Sequence, residues 1–91
     1  MNLEIVSPEA TLFNGEVTSV AVPGLNGEFE MLNNHAPVVS ILKSGYVKIK
    51  GDIQLDQVNQ GKFIKKDKCY WLEINSGTIE MKNNKVIVLA E

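Results

Sequence analysis

Arginine is absent from this sequence, and all nine positive charges are lysine. Arginine is the usual residue for bidentate contacts to phosphate and guanine. Its absence, with a net charge of −2, argues against nucleic-acid binding. Cysteine occurs once, at Cys69. One thiol forms no internal disulfide and no thiolate metal site, which fits a reducing compartment. Histidine also occurs once, at His35, and one imidazole builds no typical zinc site without several carboxylates. No glycine-rich loop runs into Lys-Ser or Lys-Thr, so there is no P-loop phosphate cradle. No apolar run approaches the ~20 residues that span a bilayer. Met1–Ser7 carries Glu4 and no basic region, unlike a signal peptide. Any membrane association therefore goes through a partner or a surface patch.

What is present is alternation. With 91 residues, the chain is the size of one domain. Its 44% apolar and 22% charged content is that of a packed protein, not a disordered one. Leu3 and Ile5, Val20 and Val22, Phe29 and Met31, Val47 and Ile49, Tyr70 with Leu72 and Ile74, and Ile79 and Met81 recur with period two. That period puts one face of a strand on a core and the other toward water. Turn pairs punctuate the runs at Asn14-Gly15, Ser44-Gly45, Gly51-Asp52, Ser76-Gly77 and Asn83-Asn84, with a longer loop at 23–27. Short strands at this spacing predict an all-β fold, a flattened sandwich of two mostly antiparallel sheets. The single domain spans residues 1–91. Within it, Pro37–Leu42 is apolar at consecutive positions and reads as a strand buried on both faces. The poorly patterned stretch Lys50–Lys68 reads as an extra hairpin.

Few residues suggest chemistry. His35 has the type of a general base, but no Ser, Cys or Asp lies near it in sequence, and a local hydrogen bond or partner contact is favoured. Cys69 reads as a small filler on a sheet face and Trp71 as core. Glu28 and Glu30 share one side of a strand. They could form an acid–base pair, a solvated face or a docking surface. Lys62, Lys65, Lys66 and Lys68 could meet anionic lipid; blocking of strand pairing at a sheet edge is preferred. Glu80-Met81-Lys82 is faintly similar to the modified hairpin of biotinyl and lipoyl carrier domains, and Lys82 reads rather as an exposed strand end.

Three segments carry a more specific pattern. They are Leu3–Glu9 with Leu12–Val17; Val22-Pro23-Gly24 with Gly27-Glu28-Phe29, Asn34-His35-Ala36-Pro37 and Leu42–Gly45; and Ser76–Glu80 with Asn84–Ala90. In order and spacing they resemble the N-terminal β-sandwich domain of the epsilon subunit of the rotary, proton-translocating ATP synthase. The resemblance covers the chain outside about 50–68. It implies a non-catalytic rotor part of the central stalk that binds the gamma subunit, rests on the membrane ring of c subunits and meets alpha and beta only indirectly. No cofactor is implied. It also implies a peripheral place on the cytoplasmic side of a bacterial plasma membrane. Residue by residue, Glu28 matches the family's loop acid facing the c ring. His35, Ala36 and Pro37 match its His-Ala-Pro motif near gamma, with Ser7, Val39 and Ser40 at or beside the same surface. Many members continue into a C-terminal helical hairpin that restrains ATP hydrolysis. The sequence stops at Glu91, so the expectation is a form without that brake.

Overall fold

A computed structural model describes all of residues 1–91. The alternating segments form ten strands: β1 (Asn2–Val6), β2 (Thr11–Glu16), β3 (Ser19–Gly24), β4 (Gly27–Leu32), β5 (Val38–Leu42), β6 (Gly45–Lys50), β7 (Phe63–Lys66), β8 (Cys69–Ile74), β9 (Gly77–Lys82) and β10 (Lys85–Ala90). A single turn of 3-10 helix covers Gln60–Lys62.

The strands make two five-stranded leaves. Leaf one runs β2-β1-β10-β9-β5, and leaf two runs β4-β3-β6-β8-β7. They meet at one pairing, Gly24 beside Leu42, so the sandwich is a single sheet bent at a corner. Every pairing is antiparallel except β1 with β10. Leu3, Ile5, Val86, Val88, Ile79 and Met81 of leaf one pack into the same core cluster as Val20, Val22, Met31, Val47, Ile49 and Leu72 of leaf two. Period-two alternation thus delivers each strand's buried set to one shared interior.

Three local expectations change. β5 is buried on neither face throughout: Val39 and Ile41 are 77% and 59% exposed, and only Leu42 is fully buried. Consecutive apolar residues arise here because the strand has an apolar outer face. Trp71 lies outside the core cluster. It stands on the outer face of leaf two, against the Tyr46 ring and between Lys48 Nζ and Lys66 Nζ at 4.3 and 4.8 Å from its ring. Its indole N–H is buried without a hydrogen-bond partner. Residues 50–68 hold a loop, the 3-10 turn and one strand, β7, whose hairpin partner is β8 beyond the turn at Asp67-Lys68. Both turn residues take positive φ, 53° and 63°, the conformation a two-residue hairpin loop requires. Asn59 pins the loop. Its side-chain amide donates to the Thr11 carbonyl of β2 at 3.2 Å and to the Asp56 carboxylate at 3.0 Å.

Candidate functional site

The outer face of leaf one is built from the outward residues of β1, β10, β9 and β5. The register aligns Val6 with Leu89, Leu89 with Thr78, and Thr78 with Ile41 in one row. The next row aligns Glu4, Ile87, Glu80 and Val39. Leu89 is 52% exposed, so it joins Val39 and Ile41 as large apolar groups facing solvent. An open cleft of about 640 Å³ lies along the first row, bordered by Val6, Ser7, Pro8, Ile41, Thr78 and Leu89. The row spans three strand spacings, about 14 Å. A contiguous apolar surface with a polar rim on a folded domain marks a docking face more often than chance exposure does.

Ser7 stands at one end of this row. Its backbone and hydroxyl both bond Ala10: the Ser7 N–H donates to the Ala10 carbonyl at 2.8 Å, and Oγ donates to the same carbonyl at 3.2 Å. That turn carries Pro8 into the cleft wall. At the other end, β5 carries Val39 and Ser40, and Ser40 Oγ donates to the Ile41 carbonyl at 3.3 Å. His35, Ala36 and Pro37 form the exposed loop entering β5 from the far end of the sandwich. The Ala36 carbonyl can only accept, so the His35 Nδ1 it faces at 2.7 Å carries the proton. The loop is anchored where the Asn34 N–H donates to Asn84 Oδ1 at 2.8 Å, in the β9–β10 turn. Asn34, Asn83 and Asn84 all take positive φ, which asparagine tolerates better than most side chains. The structure therefore gathers His35 through Ser40 along one edge of leaf one, with Ser7 at the other margin of the outer face; Ser40 alternates with the outward Val39 and Ile41 and lies beside Ile79.

Glu28 lies elsewhere, on leaf two. It is the second residue of β4, one residue past the Leu25-Asn26 turn, rather than within the loop. Its carboxylate is half exposed and paired with Lys48 Nζ at 2.8 Å. The same outer face carries Glu30, Lys50 and Cys69 around a small depression. No group of three or more His, Cys, Asp or Glu side chains converges to hold a metal. Lys82 is exposed at the end of β9, beside Lys85.

Sequence reasoning missed Val6, Ile41 and Leu89 as surface residues and Lys48 as the partner of Glu28. The signal was available. β5 (VVSIL) and β10 (KVIVLA) place apolar residues at outward as well as inward positions. Such a strand is either buried twice or held ready for another surface.

A bent all-β sandwich with an apolar outer face has a known counterpart. The family described as the beta-sandwich domain of the ATP synthase delta/epsilon chain matches residues 1–91, and this chain belongs to it. It is 38% identical over 89 residues to the ATP synthase epsilon chain of Chlorobium limicola, covering 98% of this chain and 86% of that one. It is 37% identical over 91 residues to the epsilon chain of Campylobacter concisus, of which it spans 60%. Among solved structures, a chain of the Tetrahymena thermophila mitochondrial ATP synthase central stalk and c-ring superposes with a TM-score of 0.74 at 10% identity, covering 98% of this chain and 61% of that one. A chain of the Euglena gracilis mitochondrial ATP synthase gives the same TM-score at 14% identity, covering 97% and 48%. At those identities the likeness is one of fold. Membership makes the chain a non-catalytic part of the ATP synthase, in agreement with the sequence reading.

Proposed function

We propose that this chain is a rotor component of the ATP synthase central stalk that fixes the gamma subunit to the c ring. The observation that carries the proposal is the uncharged row Val6–Leu89–Thr78–Ile41, bordered by Ser7 and continued by Val39. Gamma docks across this face, with His35, Ala36, Pro37 and Ser40 at its β5 margin. Glu28, beside the turn of the β3–β4 hairpin, meets the polar loops of the c ring. In this reading the domain moves no bonds; it transmits torque between subunits. Regular structure carrying 43 of the 54 backbone hydrogen bonds suits that load, because a closely packed interior yields little under strain. Membrane association is peripheral and goes through the ring, on the cytoplasmic side of a bacterial plasma membrane. Alpha and beta are reached through gamma.

The test is a pull-down of the tagged chain from mildly solubilised host membranes, with partners identified by mass spectrometry. Gamma, alpha, beta and c subunits recovered in fixed proportion support the reading. Recovery of the chain alone, or with unrelated proteins, would overturn it. A second measurement concerns Glu28. Glu28→Gln is expected to weaken retention of the ring while changing folding stability by less than about 1 kcal/mol, since a half-exposed ion pair contributes little. A large fall in melting temperature would show instead that the carboxylate is structural.

A further inference from the structure

The edges of the two leaves are unequally protected. An open edge presents unpaired N–H and C=O groups that invite another strand, and proteins normally block it with charge, a bulge or a covering loop. β7 is blocked by Lys65 and Lys66, and β4 carries the exposed Glu28 and Glu30. β2 is covered at Thr11 by the Asn59 side chain, and its register with β1 shifts at Val6. β5 has none of these devices. It bonds β9 along its whole length on one side, and on the other it meets β3 only at Leu42.

The hydrogen-bond phase shows which groups are left over. The Lys43 N–H donates to the Pro23 carbonyl at 2.9 Å. Alternation along an antiparallel strand then directs the backbone groups of Val39 and Ile41 to that open side, and those of Val38, Ser40 and Leu42 to β9. Beyond the Leu42 contact no strand faces Val39, so its N–H and C=O stay unpaired. Its side chain is the most exposed apolar group of leaf one. A free donor and acceptor at strand spacing, next to outward Val39 and Ile41, fit an extended backbone with apolar side chains on the same face.

We propose that β5 takes up an extended segment of gamma as an added strand, continuing leaf one into the partner; this rests on the gamma-docking reading above. Main-chain pairing at Val39 fixes the register. The apolar row beside it takes the side chains of the added strand.

The experiment is residue-resolved amide hydrogen exchange on the chain, free and bound to recombinant gamma, with two variants. The Val39 amide is expected to exchange freely in the isolated chain and to slow at least a hundredfold in the complex. The Ser40 amide, bonded to β9, is protected in both. Val39→Pro removes the edge donor without touching the β9 ladder, and edge positions tolerate proline. It is expected to weaken gamma binding at least tenfold, whereas Val39→Ile, which keeps the N–H and an apolar β-branched side chain, stays within threefold. A complex that forms with Val39 still unprotected would overturn strand addition and leave side-chain docking standing. So would equal losses in the two variants. Protection that rises with concentration of the chain alone would assign the edge to a second copy. Failure of the wild-type chain to bind gamma would remove the docking reading itself. Should Val39→Pro not fold, the wild-type exchange measurement decides.

Discussion

Replacing Ile41 and Leu89 together with aspartate is expected to weaken gamma binding by about a hundredfold, equivalent to about 2.7 kcal/mol, with the melting temperature nearly unchanged. The two side chains flank Thr78 in one row and are more than half exposed in the free chain. Charging them removes apolar area from the centre of the proposed interface and would bury two unpaired carboxylates if docking proceeded. In the free chain both carboxylates remain hydrated, and surface substitutions of this kind stay within about 0.5 kcal/mol of neutral. Isothermal titration with gamma and a thermal melt, run on the same preparation, check the two halves. Unchanged binding would move the gamma site to another face. A collapse of the melt would mean that the row supports the fold itself.

The second large effect concerns Gly77, beneath the same row. Gly77 opens β9 opposite Ala90 and beside Leu42, so neighbouring strands crowd it on both sides. A methyl group added there would run into the Leu89 carbonyl, which is backbone and cannot swing aside. Gly77→Ala is therefore expected to cost about 3 kcal/mol or more, through displacement of β10 from β9. For a domain of this size that corresponds to a fall in melting temperature of roughly 12–24 °C. Urea titration gives the energy directly. The loss of stability should be accompanied by weakened gamma binding, because Leu89 carries the row. A change below 1 kcal/mol would show that the β9–β10 ladder can open at this point without cost.

These two experiments probe different kinds of legibility. The inward set of nearly every strand was readable, because burial on one face imposes period two on residues such as Val47 and Ile49 or Ile79 and Met81. The turn at Asn83-Asn84 was readable for a local reason, the tolerance of Asn for positive φ. The outer faces were not. Val39 and Ile41 satisfy the rule for a doubly buried strand as well as the rule for a partner-facing one, and local sequence does not distinguish a core from an absent neighbour. Trp71 failed for a related reason. Its stripe partners Cys69 and Glu73 pointed outward, but its size suggested the interior, and lysine stems supply cover that a residue-by-residue reading does not count. The hairpin turn at Asp67-Lys68 holds neither Gly nor Asn, so its left-handed backbone gave no signal. The grouping of His35 through Ser40 with Ser7 across one face depends on the long-range register of β1, β10, β9 and β5, which no short window contains.

The parallel pairing of β1 with β10 sets Leu3 beside Val86 and Val6 beside Leu89. The first of these ten strands is thus completed by the tenth. Closing so long a stretch of chain is slow, because ordering entropy is spent before the contacts form. Leaf two can hydrogen-bond before β10 docks, since β3, β4, β6, β7 and β8 lie close together in the chain. The face proposed to meet gamma does not exist until β10 has inserted between β1 and β9. A chain whose β10 has not yet docked consequently lacks the continuous row from Val6 to Ile41, because Leu89 joins its two halves.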